Sequence, residues 1–144
     1  MDTLNQLLLV LHFLGLGMGL SVSFSGMVMA GLISKSAPAE QPILARFPPL
    51  MSRVGDVGLV LLWVTGLTMV FTKYQGFEGL MTVWQFHVKL TAVVLLTGVV
   101  GYIHSLMRKA RQGDQAAAAR IPIVGRVALF LALTAVVFAV ASFE

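Results

Sequence analysis

The chain has 144 residues, of which 58% are hydrophobic and 11% are charged, and its formal net charge is +4. Soluble domains average roughly 45 to 50% apolar and about 25% charged residues, so this composition excludes an ordinary soluble protein and indicates an integral membrane protein. The sequence has no cysteine, which excludes disulfides, thiolate metal sites, iron–sulfur ligation and covalent c-type haem attachment. A metal or haem would have to be held by His, Met or Lys.

Four apolar stretches follow one another along the chain, at approximately 6–33, 54–72, 83–108 and 121–143. Each approaches or exceeds the ~18 to 20 residues that cross a bilayer as a helix. The sequence therefore predicts an all-α fold, an integral membrane four-helix bundle that forms a single transmembrane domain over residues 1–144. The first few residues carry Asp2 and no basic side chain, so we expect the first stretch to be a retained helix and not a signal peptide.

The connections between the stretches differ in charge. Eight of the ten basic residues lie in or beside the first and third connections: Lys35, Arg46, Arg53, Arg108, Lys109, Arg111, Arg120 and Arg126. The positive-inside rule places both connections in the cytoplasm, so both termini are predicted to be non-cytoplasmic. We interpret these charges as a topology signal that also favours contact with anionic lipid, and not as a nucleic-acid surface.

The first connection contains four prolines, Pro38, Pro42, Pro48 and Pro49. Proline disrupts the interior of a helix, so we expect this segment to be irregular in part and to lie along the membrane surface, with Phe47 and Leu50 dipping into it. In the third connection, the alanine run 116–119 is expected to extend a neighbouring helix.

The three histidines are predicted to lie at two different depths. His12 is about six residues into the first predicted helix, or ~9 Å by the helical rise, and His87 is about three residues into the third, or ~5 Å. These two helices run in the same direction, so both imidazoles are expected near the non-cytoplasmic surface. His104 follows His87 by roughly 25 Å along the same helix, so it is expected at the cytoplasmic interface and outside any small site that the other two form.

Small residues continue the helix faces that carry His12 and His87. One strip runs through Gly15, Gly19, Ser23, Gly26 and Ala30, and the other through Thr91, Val94, Gly98, Gly101 and Ser105. Such strips are typical of close helix packing in membranes, within one chain or between copies. They would equally leave room for a flat macrocycle whose iron is bound by an imidazole. The matching depths of the two histidines favour the second interpretation.

Two charged residues stand in or near the apolar stretches and need an explanation, because a charge inside a bilayer is costly. Lys89 could direct its ammonium outward to the interface, or inward as a partner for an anionic group and as a proton donor and acceptor. Asp56 is expected to be an interfacial helix cap near Arg53.

At these residues the chain resembles the HemJ family of bacterial membrane protoporphyrinogen oxidases, small four-helix proteins that bind haem b. The resemblance rests on Leu11-His12-Phe13, on Met51-Ser52-Arg53, on the segment from Trp84 to Leu90 (WQFHVKL) and on the basic exit Leu106-Met107-Arg108-Lys109. It implies a multi-pass protein of the bacterial inner membrane with His12 as a ligand of haem b. It also implies that His87 and Lys89 are the other essential polar positions, His87 binding the haem or its iron and Lys89 acting in catalysis.

Two functions remain open besides a purely structural role. The first, which the resemblance implies, is oxidation of the tetrapyrrole protoporphyrinogen IX to protoporphyrin IX, with electrons passing through haem b to a membrane acceptor such as quinone. The second is a small b-type cytochrome, or an accessory subunit of a larger respiratory or photosynthetic membrane complex, in which His12 and His87 hold haem without catalysis.

Overall fold

A computed structural model describes residues 2–141, and every regular element in this range is helical. The elements are α1 (Thr3–Lys35), α2 (Gln41–Leu44), α3 (Phe47–Thr72), α4 (Phe77–Leu80), α5 (Trp84–Arg111) and α6 (Gln115–Ala141). Four of them, α1, α3 together with the short α2 before it, α5 and α6, are long and apolar enough to cross a membrane. The prediction of four helices long and apolar enough to span a membrane is thus confirmed, whereas the side on which the termini lie stays a prediction.

Two helices begin earlier than the sequence predicts. Helix α3 starts at Phe47 and not near residue 54, and its prolines occupy the first turn. Proline is tolerated there because the first backbone N–H groups of a helix have no intrahelical partner. Helix α6 starts at Gln115, so the alanine run does extend a helix, with Pro122 inside it. The first connection is correspondingly shorter than predicted.

The long helices pack as two hairpins, α1 with α3 and α5 with α6, and α1 also contacts α6. The α5–α6 turn is tight, and Gly113 adopts a φ of +94° there, a conformation that only glycine enters without strain. Small residues fill the contacts between helices, as in the buried row Ala128, Ala132 and Ala135 of α6. Small side chains let helix backbones approach closely, which is the usual basis of helix association in a bilayer.

The largest apolar side chains point outward. Phe130 is 71% exposed and Val28 is 62% exposed, and many other Leu, Val and Phe side chains also lie on the outer surface. A soluble monomer rarely exposes so much contiguous apolar surface. Lipid acyl chains are as apolar as these side chains, so this outer surface suits a bilayer.

Candidate functional site

His12 belongs to α1, and its side chain packs against α3. Its Nδ1 atom is 2.8 Å from the Oγ1 atom of Thr65, and the Thr65 hydroxyl donates to the Leu61 carbonyl oxygen. Thr65 is almost completely buried. A Cβ atom on Gly66 would lie 3.3 Å from the Cε1 atom of His12, so the ring rests directly on the backbone of α3. The imidazole is therefore held in one orientation by its neighbours.

Lys89 is the charged residue that the sequence predicts to act at the same site as His12. It lies on α5, is partly buried, and is close enough to interact electrostatically with His12. Its own electrostatic neighbour is Lys73, in the turn after α3. No hydrogen bond or ion pair within residues 2–141 joins Lys89 to His12, so the two predicted site residues influence each other only through their charges.

His87 faces a different part of the molecule. Its Nε2 atom is 2.8 Å from the backbone carbonyl oxygen of Met81, and its side chain lines a groove of about 330 Å³ formed with Leu131 and Thr134 of α6. His87 is exposed. A ligand role for His87 beside His12 would require the imidazole to leave the Met81 carbonyl and turn away from this groove.

The two strips of small residues have different surroundings. Gly15 of the α1 strip meets Gly58 of α3, and a Cβ atom on Gly15 would lie 2.7 Å from the Gly58 carbonyl oxygen. This part of the α1 strip is therefore a helix-packing contact. On α5, a Cβ atom at Gly98 or Gly101 would meet nothing within 4 Å, so that strip is an open surface and forms no close helix contact.

A large cavity occupies the half of the bundle toward the basic connections. Its volume is about 920 Å³, and all four long helices line it, which is within the range of roughly 300 to 1,000 Å³ typical of small-molecule sites. The cavity reaches Leu16, one helical turn beyond His12, and Leu62, whose backbone interacts with the His12 ring. His12 therefore lies just beyond the inner end of the cavity.

A carboxylate–imidazole pair in this cavity was not expected from the sequence. The Nε2 atom of His104 lies 2.8 Å from the Oδ1 atom of Asp56, and both residues line the cavity. Asp56 was predicted to be an interfacial cap near Arg53, yet it reaches across to α5. The available signal was the presence of one acid and one histidine inside two apolar stretches, but the sequence does not show that they face each other.

Arg126 is a second cavity residue whose position differs from the expectation. The sequence suggested a residue beside the third connection, but α6 begins at Gln115, so Arg126 lies about 16 Å into the helix. It lines the cavity together with Arg111, from the last turn of α5. Neither arginine forms an ion pair within residues 2–141.

The positions of the histidine side chains determine which of them could bind the iron of a haem. Across the described residues, no three His, Asp or Glu side chains come together as a metal site. His12 and His87 have different partners, Thr65 and the Met81 carbonyl oxygen, so a haem bound by both imidazoles would require His87 to move, and this pair of ligands stays a prediction. A haem held by His12 alone is compatible with the donor set, because the imidazole, oriented by the Thr65 hydroxyl, lies beside a cavity of adequate size.

Comparisons with known proteins add no family to this description. No family model matches the chain, and neither a curated protein nor a solved structure matches it.

Proposed function

We propose that this chain is a membrane haem b protein that oxidises protoporphyrinogen IX to protoporphyrin IX, as its resemblance to the HemJ family implies. The observation that supports the proposal is the position of His12, which Thr65 orients just beyond the inner end of the cavity and on which the charge of Lys89 acts. An intramembrane histidine and lysine are costly unless the protein uses them. A tetrapyrrole with acidic side chains would use both an imidazole and an ammonium.

His12 is the proposed haem ligand. Thr65 fixes the orientation of its ring through the Nδ1 atom, as hydrogen-bond partners of the non-ligating nitrogen do for histidines that bind metals. When bound, haem would supply one-electron redox chemistry in the membrane. His104 is already engaged by Asp56, so it is not the proposed ligand.

Lys89 is the proposed catalytic residue. Its ammonium would attract the carboxylates of the substrate, and the same group could accept and release a proton as hydrogens leave the tetrapyrrole. The electrons would pass to a membrane acceptor such as quinone. His87 would act only after moving from the Met81 carbonyl, so we assign it no step in this scheme.

A second candidate function is a small b-type cytochrome or an accessory subunit of a larger membrane complex. One observation favours it: the open strip on α5 around Gly98 and Gly101 offers a surface on which another membrane helix could pack closely. In that case His12 would hold haem and no substrate would be converted.

Two variants, each with a control variant, separate these functions when the purified protein is supplied with haem. We expect His12→Ala to remove most of the Soret absorbance and His104→Ala to retain it. We expect Lys89→Met to keep the absorbance but to lose protoporphyrinogen oxidation, both in the assay and in rescue of a strain that lacks this step. Lys109→Met, at the other end of α5, is the matched control and should behave like the wild type.

The possible results have distinct meanings. A wild-type protein that is pigmented and well expressed but neither oxidises protoporphyrinogen nor rescues the strain would exclude the enzyme and leave the cytochrome or subunit. A wild-type protein that stays colourless with excess haem would exclude both. Loss of pigment in His104→Ala alone would move the haem to the cavity pair and contradict the role of His12.

A further inference from the structure

The cavity carries positive charge that no acidic side chain of residues 2–141 balances. Arg126 lies about 16 Å into α6 by the helical rise, lines the cavity, and has no acidic partner within residues 2–141. Arg111 lines the same cavity nearer its rim. The acidic side chain that lines the cavity, Asp56, is already engaged by His104. Both arginines are exposed, so their guanidinium groups are accessible to an anion that would form charge-assisted hydrogen bonds with them.

The rest of the cavity is suited to an apolar chain. On α1 its wall runs from Leu16 to Ser34, a distance of about 27 Å along the helix. The serine hydroxyls of this wall that have a hydrogen bond, Ser23, Ser25 and Ser34, donate to carbonyls of their own helix. The wall therefore offers few free polar groups, and its length matches an extended acyl chain lying along the helices.

The cavity also has a side on which the helices are less closely packed. Helices α3 and α5 belong to different hairpins and approach each other much less closely than the partners within each hairpin do. Polar side chains connect them at two levels, through Asp56 and His104 and through the Trp63 indole N–H, which donates to the Thr97 hydroxyl at 3.0 Å. Between such contacts a lipid molecule could enter from the bilayer.

We propose that the cavity binds an acyl-chain anion, with its carboxylate or phosphate head at Arg111 and Arg126 and its chain directed toward Leu16. The anion compensates the two arginines, and the chain fills the apolar wall. This site uses neither His12 nor Lys89, but its chain would occupy the part of the cavity beside His12, so its binding is measured on protein without added haem. The head chemistry is shared by free fatty acids and anionic phospholipids, and the experiment distinguishes them.

Binding of cis-parinaric acid, a fluorescent polyene fatty acid, to the detergent-purified full chain tests the site. We expect saturable binding that weakens about tenfold in Arg126→Gln and in Arg111→Gln, because each loses a charge-assisted hydrogen bond. Arg120→Gln and Arg108→Gln are matched controls on the same two helices, outside the cavity lining, and should bind as the wild type does. The methyl ester of the probe, which has no anion, should bind weakly to all five proteins.

A filling variant tests the position of the chain independently of charge. Gly26 lines the cavity, and a Cβ atom there would meet nothing within 4 Å, so Gly26→Leu should fold and occupy the space of the chain. We expect it to abolish probe binding, whereas Gly17→Leu, equally unhindered but outside the lining, should retain it. Circular dichroism confirms that both variants are folded.

Competition identifies the source of the anion. Displacement of the probe by palmitate at lower concentration than by phosphatidylglycerol indicates a fatty acid, and the reverse indicates a phospholipid. Equal binding of the acid and its methyl ester, or wild-type binding by both cavity arginine variants or by Gly26→Leu, would overturn the proposal.

Discussion

His104 of α5 and Asp56 of α3 form a direct link between the two helix hairpins, with 2.8 Å between the Nε2 and Oδ1 atoms. They are 48 positions apart in the chain, and each stands in a helix that is otherwise mostly apolar. A charged or strongly polar group in a bilayer is costly when it has no partner. Each residue therefore stabilises the other, and removal of either one leaves the remaining side chain in the cavity without its hydrogen-bond partner.

A double-mutant cycle on this pair should show strong coupling. We expect Asp56→Ala and His104→Ala each to lower thermal stability, and the double variant to lose less than the sum of the two. The coupling should be on the order of 1 kcal/mol, as is typical of residues in direct contact. Thermal unfolding in detergent micelles measures it. Strictly additive losses would show that the pair contributes nothing to the link between α3 and α5.

The contact between Gly15 and Gly58 predicts that α1 and α3 tolerate no side chain at this crossing. A Cβ atom on Gly15 would lie 2.7 Å from a backbone oxygen, which cannot rotate away as a flexible side chain would. We expect Gly15→Ala to lower the free energy of unfolding by about 1 to 3 kcal/mol, the usual cost of overpacking. Unfolding in detergent measures this change.

Gly17→Ala is the control for the same helix, because a Cβ atom there meets nothing within 4 Å. It should be neutral or should stabilise the protein by up to about 1 kcal/mol, since alanine favours a helix over glycine. Equal losses at both positions would mean that the close contact at the crossing does not control the effect.

We expect the hydroxyl group of Thr65 to contribute measurably to the free energy of unfolding. Thr65→Val preserves the shape of the side chain but removes the partner of the His12 Nδ1 atom. We expect a loss of about 1 to 3 kcal/mol, the cost of leaving a buried polar group unsatisfied. Thr68→Val is the comparison, because the Thr68 hydroxyl donates only to the Val64 carbonyl of its own helix. If both valine variants unfolded at the same temperature, the contact between His12 and Thr65 would contribute nothing to stability.

Topology can be tested with paired reporters. Eight of the ten basic residues lie in or beside two alternate connections, which predicts cytoplasmic connections and non-cytoplasmic termini. We expect alkaline phosphatase fused after Glu144 to be active and green fluorescent protein at the same position to be dark. Inserted after Gly113, in the α5–α6 turn, the two reporters should give the opposite pattern. An inverted result at both positions would reverse the orientation of the whole bundle.

Several features of the fold were predictable because they depend on composition alone. The four spanning helices follow from apolar runs of sufficient length, and the extension of α6 follows from its alanine run. The start of α3 was less predictable, since proline is compatible either with an irregular surface segment or with a first helical turn. The structure selects the helical turn at Phe47.

The site residues, like the fold, were predictable only in part. Sequence reasoning identified His12 and Lys89 as costly groups that need partners, and the structure provides His12 with a partner in Thr65. It could not show that Gly15 of the α1 strip is packed against α3 whereas Gly98 of the α5 strip is open. The two strips have the same spacing, and only the arrangement of neighbouring helices makes them different.

The sequence by itself determined that this is a chain of four apolar helices with charged groups at a few costly positions, because bilayer solvation acts on each segment separately. Only the tertiary structure decided that Asp56 faces His104, that His87 turns to the α6 groove, and that Arg126 lines the cavity. These relationships depend on how each helix is rotated about its axis and on which helix lies beside it. Both are set by packing between segments that are distant in the chain.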